Sequence, residues 1–167
     1  LQVTFTYTPY DELERLGLRP ETQAAARSAA PDRTGMLVVD DVQPGSPAEG
    51  ALQPGDLLVQ IQGKRITTFE PLAAVLDDSV GRKVDIEVER GGERIDLQLE
   101  VQDLHAITPA EYLEFGDTVV HRLSYQMARH FNAPIQGIFV ANPGYALGAS
   151  GVPRGAVITS IGGQARN

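Results

Sequence analysis

Apolar and polar side chains alternate strictly in two short segments of the chain. Residues 84–88 are Val-Asp-Ile-Glu-Val, and residues 95–99 are Ile-Asp-Leu-Gln-Leu. A period of two is typical of strands with one buried face, and Arg90-Gly91-Gly92-Glu93 predicts the hairpin turn between them. β-Branched and aromatic residues predict three further strands, at 3–7, 36–42 and 57–61.

Other segments have a helical pattern. Apolar residues recur at i, i+3, i+4 and i+7 and predict one stripe of a helix, formed by Phe69, Leu72, Ala73 and Leu76. A shorter helix is expected to start after Pro9, and Gly17 can end it. Residues 19–33 are polar and rich in alanine, with Pro20 placed to start a helix and Pro31 to stop one, and we interpret them as a solvent-facing insertion. Together these elements predict a mostly β fold with short helices, in the α+β class.

The chain contains one pattern twice. Residues 34–38, Thr-Gly-Met-Leu-Val, correspond to residues 136–140, Gln-Gly-Ile-Phe-Val, and residues 52–64 correspond to residues 152–164. The order of the matching segments is the same in both copies, and only their connections differ in length. A repeat of this kind predicts two structural units.

The repeat also predicts the boundaries of the units. The first is expected to cover residues 1–103, followed by a linker at 104–114 in which Pro109-Ala110-Glu111-Tyr112 starts a short helix. Residues 115–167 are expected to be the N-terminal part of a second unit, without counterparts of residues 69–99. Because a partial sheet exposes unpaired strand edges, we expect this part to pack on the first unit or to pair with another chain.

Composition excludes several kinds of partner and chemistry. The 22 acidic and 14 basic residues give a net charge of −8, and a nucleic-acid partner is not expected because a phosphate backbone attracts clustered Lys and Arg. The chain has no cysteine, which excludes disulfides, thiolate metal ligands and a cysteine nucleophile. Its apolar runs are shorter than the roughly 20 residues of a membrane-spanning helix, so no membrane insertion is expected.

A catalytic or metal site is not predicted. Gly148-Ala149-Ser150-Gly151 is similar to a serine-nucleophile loop, but trypsin-like enzymes have Gly-Asn/Asp-Ser-Gly-Gly, and Val152 follows here. A nucleophilic serine also needs a base and an orienting acid within hydrogen-bond reach. His105, His121 and His130 lack the spacing of metal ligands. We therefore expect no catalytic residue, no metal and no cofactor.

Two turn motifs and an adjoining strand carry a family resemblance. Residues 35–39 are Gly-Met-Leu-Val-Val, residues 44–48 are Pro-Gly-Ser-Pro-Ala, and residues 52–64 contain Leu-Gln-Pro-Gly-Asp-Leu-Leu. This arrangement resembles a PDZ domain, in particular the PDZ domains attached to Deg/HtrA serine proteases. Residues 101–109 and 123–129 are similar to the large multi-PDZ Deg-type proteases of fungi and plants and their bacterial relatives. The resemblance implies a PDZ-like, partly open barrel or sandwich, complete in the first unit except for the start of its carboxylate-binding loop.

The turn motifs that carry the resemblance also have a structural explanation. Gly55 tolerates the chain reversal before a buried strand, and Asp56 can accept hydrogen bonds from backbone amides in that turn. Ser46 is expected to cap a short helical turn over residues 48–52. These residues are predicted to build the scaffold and not to bind a ligand.

The resemblance implies where a ligand would bind, because a PDZ domain adds an extended peptide between its own strand and its groove helix. The implied peptide-binding residues are Leu1, Gln2, Val3, Thr4 and Phe5 on the strand and Phe69, Ala73 and Leu76 on the helix. Leu1-Gln2-Val3 occupies the position of the loop that holds the peptide carboxylate, and Gln2 stands where the family usually has glycine. The alternative is that several of these residues belong to the ordinary core.

The implied function is that of a noncatalytic peptide-binding region of a Deg/HtrA-like serine endopeptidase. It would capture apolar C-terminal or unfolded segments of proteins by strand addition and regulate proteolysis by the catalytic domain of the same parent chain. A homo-oligomer is a possible further partner, and the resemblance favours the bacterial periplasm or cell envelope. Two alternatives stay open: an oligomerisation or scaffold module, and a PDZ unit of another envelope protease or of a secretion apparatus.

Overall fold

The computed structural model describes residues 1–165 of the 167-residue chain, and side chains as far as residue 163. The chain divides into two compact units, Leu1–Gln102 and Asp103–Asn167. Both are mostly β with short helices, which confirms the predicted fold class. No helix in the described part of the chain is long and apolar enough to cross a membrane.

The first unit is built on one six-stranded sheet. Its strands are β1 (Val3–Pro9), β2 (Gly35–Val42), β3 (Leu57–Ile61), β4 (Lys64–Arg65), β5 (Lys83–Arg90) and β6 (Glu93–Glu100). All neighbours are antiparallel in the order β1-β2-β3-β5-β6, and β4 pairs with β3. Its helices are α1 (Tyr10–Arg15), α2 (Pro20–Ala29) and α3 (Phe69–Asp77). The strands, hairpin and helices expected from the two periods are therefore confirmed.

The second unit contains a four-stranded sheet in the order β10-β9-β8-β7. These strands are β7 (Tyr112–Phe115), β8 (Thr118–Arg122), β9 (Ile138–Asn142) and β10 (Val157–Ile158). The helices are α4 (Tyr125–His130) and α5 (Gly144–Gly148), and β11 (Ser160–Ile161) pairs with β12 (Gln164–Ala165).

The first unit has two core clusters, and β5 contributes to the larger one. Val84, Ile86 and Val88 of β5 are buried, as the alternation of this segment predicts, whereas Asp85 between them is exposed. Burying a side chain of this size contributes roughly 1.5–3 kcal/mol relative to leaving it in water. The same cluster includes residues of β2, β3 and α3, namely Leu37, Val39, Leu58, Ile61, Leu72 and Val75.

The interpretation of residues 19–33 as a solvent-facing insertion was wrong for one face of α2. Thr22 and Ala26 are buried, and Ala26 belongs to a second core cluster with Tyr10, Leu13, Leu18, Met36, Val38 and Leu57. Alanine side chains give only a weak apolar pattern in a sequence, although their small size lets a helix pack closely.

A buried carboxyl group fixes the start of α2 to the sheet. Glu89 of β5 is almost fully buried, and its Oε2 accepts a hydrogen bond from the backbone N–H of Arg19 over 3.0 Å. The hydroxyl of Thr22 donates to the other oxygen, Oε1. Both carboxyl oxygens are thus used at the N-terminus of α2, where backbone N–H groups lack partners within the helix.

The predicted linker helix at Pro109-Ala110-Glu111-Tyr112 is wrong. Residues 104–107 form turns, and Tyr112 is the first residue of β7. β7 is extended because it pairs with β8 across the two-residue turn Gly116-Asp117. Such tight hairpins favour glycine at a position of positive φ, and Gly116 has φ of 62°. Pairing between strands therefore overrides the local preference of proline for a helix start.

The turn before β3 confirms the role predicted for Asp56. Its buried carboxylate accepts a hydrogen bond from the backbone N–H of Gln53 over 2.8 Å. It also pairs in two places with Arg90, at 2.6 Å between Nε and Oδ1 and 2.8 Å between Nη2 and Oδ2. The hydrogen bond with Asp56 raises the pKa of Arg90 above its ordinary value. In the second unit this position is occupied by Ala156, so the same ion pair cannot form there.

The predicted cap by Ser46 is wrong. The Ser46 hydroxyl is buried and makes no hydrogen bond with the described residues. The helical turn itself is present, because the backbone N–H of Leu52 donates to the carbonyl of Ala48 over 2.9 Å. The side chain of Glu49 stabilises this turn instead, because its Oε2 accepts a hydrogen bond from the backbone N–H of Gly45 over 2.9 Å.

Candidate peptide-binding edge

β1 is an edge strand of the first sheet. It pairs with β2 over seven register positions, from Val3 opposite Val42 to Pro9 opposite Gly35. On its other side, no strand among residues 1–165 pairs with it. An edge strand presents a row of backbone N–H and C=O groups that can accept another strand.

The backbone groups available on this edge follow from the hydrogen bonds at the two ends of β1. In an antiparallel pair, residues bonded to the neighbour alternate with residues whose N–H and C=O point away from it. The carbonyl of Gln2 accepts from the N–H of Gln43 over 3.0 Å, and the N–H of Tyr10 donates to Thr34 over 2.9 Å. Even-numbered residues therefore face β2. The outward groups belong to Val3, Phe5 and Tyr7.

A β-bulge lies on the inner strand and leaves the outer edge regular. Thr4 is opposite Asp41 and Phe5 is opposite Val39, so that Asp40 is the extra residue. The backbone groups of Val39 do not point towards β1. Its N–H donates to the backbone carbonyl of Asp56 over 2.8 Å, and its carbonyl accepts from the N–H of Gly55 over 2.8 Å. β1 itself contains no extra residue, and its alternation continues from Val3 to Tyr7.

The predicted strand residues differ in their environment. Leu1 is only 7% exposed and belongs to the core cluster. Val3 and Phe5 are half-buried and pack against that cluster, and Thr4 is half-buried. Leu1 is thus an ordinary core residue in the described structure, as the alternative interpretation expected. Val3 and Phe5 combine a partly accessible side chain with an outward backbone.

Gln2 adopts a backbone conformation that favours glycine. Its φ is 57°, in the left-handed region, which costs a non-glycine residue about 1 kcal/mol or more. Its side chain is buried, and its Nε2 donates a hydrogen bond to Oε1 of Gln102. This contact joins the start of β1 to the end of the unit, whereas the Oε1 of Gln2 is buried without a hydrogen-bond partner among the described residues.

The predicted helix residues lie on the more accessible side of α3. Phe69 is 50% exposed and Ala73 is exposed, whereas Leu76 is half-buried and packs against the same core cluster as Val3 and Phe5. Leu72, the fourth member of the predicted stripe, faces the core together with Val75. α3 thus has a buried side with Leu72 and Val75 and a partly open stripe with Phe69, Ala73 and Leu76.

Tyr7 is a candidate that the sequence prediction missed. Its backbone extends the outward edge by one step, and its half-buried side chain packs against the core cluster. The phenol oxygen accepts a hydrogen bond from the N–H of Thr34 over 3.0 Å. The alternation of Val3, Phe5 and Tyr7 is visible in the sequence and could have indicated this third position.

Ser150 and two of the three histidines make ordinary structural contacts. The Ser150 hydroxyl donates to the carbonyl of Ala146 over 3.4 Å in an exposed turn. The ring of His121 lies 5.2 Å from that of Phe139, and the ring of His130 lies 5.2 Å from the aromatic ring of the next residue. Among the described residues, no group of three or more His, Asp or Glu side chains is placed to hold a metal ion.

Comparison with known families identifies this architecture. A PDZ domain model matches residues 38–90, and a PDZ-like domain model matches residues 106–165. The chain belongs to the PDZ family. The two matched segments lie in the two separate units and together span more than half of the chain, so the PDZ resemblance of both copies is confirmed.

The similar full-length proteins are Deg/HtrA-like serine proteases. This PDZ region is 48% identical to Protease Do-like 7 of Arabidopsis thaliana over 98% of its own length and 15% of that protein. It is 45% identical to the pro-apoptotic serine protease NMA111 of Ajellomyces capsulatus, over 84% of its own length and 14% of that protein. The chain therefore spans about a seventh of the length of these relatives.

Two solved structures of HtrA proteins are also similar to part of the chain. The HtrA-type protease AlgW with a decapeptide has a TM-score of 0.45 and 27% sequence identity, covering 61% of this chain and 28% of that one. The HtrA3 PDZ domain bound to a phage-derived ligand, FGRWV, has a TM-score of 0.36 and 20% identity, covering 59% of this chain and 87% of that one.

Proposed function

We propose that this chain is a noncatalytic peptide-binding PDZ region of a Deg/HtrA-like serine protease. It captures apolar C-terminal or unfolded protein segments and regulates their proteolysis by the catalytic domain of the parent chain. Residues 1–103 act as the peptide-binding unit, residues 104–114 connect, and residues 115–167 belong to a second PDZ unit.

The observation that supports this function most directly is the open outer edge of β1. Val3, Phe5 and Tyr7 offer outward N–H and C=O groups at alternate positions, the spacing that an added antiparallel strand requires. The backbone at Leu1, Gln2 and Val3 lies at the start of this edge, where the carboxylate of a C-terminal peptide would be held. The strand contacts are made by backbone atoms and place no demand on the peptide sequence.

Apolar selectivity comes from the helix. Phe69, Ala73 and Leu76 occupy the partly open stripe of α3, and Leu76 shares the core cluster with Val3 and Phe5. Peptide side chains directed to this side meet carbon atoms, so burying apolar residues is favoured and burying unpaired charges is costly. We therefore expect a preference for apolar residues near the peptide C-terminus.

A matched pair of helix variants tests this assignment. A C-terminal peptide library is screened on the chain, and the strongest binder is titrated against the parent, Ala73→Arg and Ala74→Arg. Both alanines are exposed on α3, but only Ala73 belongs to the candidate stripe. We expect Ala73→Arg to weaken binding about tenfold or more, equivalent to about 1.4 kcal/mol, and Ala74→Arg to bind as the parent does.

Backbone NMR of the peptide complex tests where the peptide binds, separately from whether a peptide binds at all. The bound peptide should shift the amide signals of Val3, Phe5 and Tyr7. Equal affinity of Ala73→Arg and the parent would refute the helix assignment, and the absence of any apolar binder would refute peptide capture. Concentration-dependent association of the ligand-free chain in light scattering would instead support an oligomerisation or scaffold module.

A further inference from the structure

The outer edge of β8 in the second unit is the counterpart of the outer edge of β1. Phe5 is opposite Val39 in the first unit, and Val120 is opposite Val140 in the second. Val39 and Val140 occupy equivalent positions, because the N–H of each donates to the backbone carbonyl of the residue just before a strand. Val39 donates to Asp56, before β3, over 2.8 Å, and Val140 donates to Ala156, before β10, over 2.9 Å.

The irregularity of the ladder confirms this correspondence. In both units the register shifts immediately before these residues, between Thr4 and Phe5 and between Val119 and Val120. Val120 therefore corresponds to Phe5, and Thr118, two residues earlier, corresponds to Val3.

This edge is occupied by the chain itself. β7 pairs with β8 on the side opposite β9. Phe115 is opposite Thr118 and Leu113 is opposite Val120. The two strands are joined by Gly116-Asp117, so the register is set by a two-residue turn.

The bonds that β7 uses are those expected for a captured peptide. The N–H of Leu123 donates to the carbonyl of Gly137 over 3.0 Å, so odd-numbered residues at this end of β8 face β9. By alternation, Thr118 and Val120 point their backbone groups away from β9 and towards β7. Phe115 and Leu113 stand opposite these residues, at the positions that a peptide would take opposite Val3 and Phe5.

β7 also has the polarity and side-chain pattern of such a peptide. Its C-terminal residue, Phe115, lies at the start of β8, as the end of a captured peptide would lie at the start of β1. Directly opposed residues in an antiparallel pair share one face. Leu113 thus lies on the face of buried Val120, and Phe115 on the face of buried Thr118.

The side chains of β7 make little buried contact, whereas the turn after β7 is fixed by hydrogen bonds. Tyr112, Leu113 and Phe115 are 68%, 60% and 41% exposed, so the strand gains little from burial. In contrast, the Oδ1 of Asp117 accepts from the N–H of Tyr145 over 2.8 Å, and its carbonyl accepts from the side-chain amide of Asn142 over 2.8 Å. A short strand on a fixed hinge can leave and return without loss of the turn.

We propose that β7 is an internal ligand that masks the peptide-accepting edge of the second unit. An extended peptide with large apolar residues at alternate positions, such as the β7 sequence itself, binds to β8 only when β7 is displaced. This inference rests on strand addition as the proposed function, and it assigns self-masking to the second unit.

The test uses the full chain and a synthetic peptide of residues 110–115, Ala-Glu-Tyr-Leu-Glu-Phe, with a free carboxylate. In Leu113→Pro the strand loses an N–H that bonds to Val120, and little packing is lost because Leu113 is mostly exposed. Glu114→Pro is the matched control, because the N–H of Glu114 points away from β8 and proline is tolerated at such edge positions. Binding is followed residue by residue in ¹H–¹⁵N spectra.

We expect the peptide to shift the amide signals of Thr118 and Val120 in Leu113→Pro at a concentration about tenfold lower than in the parent, since affinity falls with the fraction of open sites. Glu114→Pro should behave as the parent. Amide signals of Val39 and Val140 show that both units remain folded in each variant.

The outcomes separate this inference from the proposed function. Equal binding at Thr118 and Val120 in the parent and Leu113→Pro would overturn self-masking. Shifts at Val3 and Phe5 without shifts on β8 in Leu113→Pro would also overturn it, while leaving peptide capture by the first unit intact. No shift on either edge would overturn self-masking as well, whereas peptide capture by the first unit is decided by the library screen.

Discussion

A single carboxylate connects two distant parts of the first unit. Asp56 satisfies a backbone N–H three residues earlier and forms a two-point ion pair with Arg90. Arg90 also donates to the carbonyl of Ala51 over 2.9 Å. Asp56 thus connects the turn before β3 to the end of β5 in the first unit.

Replacement of Asp56 by alanine should therefore be costly. Asp56→Ala leaves the Gln53 N–H without its acceptor and leaves the guanidinium of Arg90 with the Ala51 carbonyl but without its carboxylate partner. We expect the free energy of unfolding to fall by about 2–4 kcal/mol, a value below that of a fully buried pair because Arg90 remains partly hydrated. Urea denaturation followed by circular dichroism measures the change.

The control is an ion pair on the surface of the same unit. Asp96 contacts Arg94 over 3.1 Å, and both side chains are exposed. Asp96→Ala should change stability by less than about 0.5 kcal/mol. A loss of similar size in both variants would contradict a special role for the buried carboxylate.

The local part of these contacts could be predicted from the sequence, but the long-range part could not. The bond between Asp56 and Gln53 spans three residues, and the turn motif indicates it. Arg90 lies 34 residues away from Asp56, and Gln102 lies 100 residues away from Gln2. No local pattern distinguishes these partners from the other polar residues of the chain.

At the scale of elements, α2 is an integral part of the first unit. Its start is bonded to Glu89 of β5, and Ala26 contributes to the second core cluster. Removal of α2 would leave the buried carboxyl group of Glu89 without these two donors. Detachment of the helix is therefore opposed by the desolvation of that group as well as by the loss of packing.

The hydroxyl of Thr22 provides a test of this attachment. Thr22→Val keeps the shape of the side chain and removes the donor to Glu89. We expect a loss of about 1–3 kcal/mol in the free energy of unfolding, because a buried acceptor loses its partner. The measurement is again urea denaturation.

Ser28 on the same helix is the matched control. Its hydroxyl is exposed and donates to Ala24 within α2 over 2.9 Å, so Ser28→Ala should change stability by less than about 0.5 kcal/mol. If Thr22→Val were equally mild, the bond to Glu89 would not anchor the helix.

The period of apolar residues predicted elements well where one face of a strand or helix is buried by large side chains. It succeeded for β5 and β6 and for α3. It did not indicate the buried face of α2, where the buried side chains are small, although Pro20 correctly marked the start of that helix. It also gave no signal for β7, whose extended form depends on pairing with β8. The candidate edge could be anticipated through the PDZ resemblance, and the alternation of Val3, Phe5 and Tyr7 in the sequence could have indicated its third position, although the outward direction of the Tyr7 backbone is established by the register of β1 with β2.

At the scale of the whole molecule, the chain represents a small part of the proteases to which it is similar. Two PDZ-matching segments account for more than half of it. In the described structure Ser150 bonds to a backbone carbonyl of its own turn. Peptide hydrolysis by a serine requires a base and an oriented acid around the nucleophile.

We therefore expect the isolated chain not to cleave protein substrates. Fluorescently labelled casein is incubated with the chain, and trypsin at low concentration serves as the positive control. Fluorescence should stay at the level of the buffer. Hydrolysis that disappears in Ser150→Ala would show that the chain carries its own nucleophile, contrary to the proposed division of labour.

The β-bulge at Asp40 has a consequence for how a ligand can be positioned. The extra residue changes the phase of the inner strand only, so the outer strand keeps an unbroken rhythm of donors and acceptors from Val3 to Tyr7. A peptide on this edge can shift by two residues and regain every hydrogen bond, whereas a shift by one turns its side chains to the opposite face. The proposed capture would thus be stepwise, with a long unfolded segment held in several positions that differ by dipeptide steps.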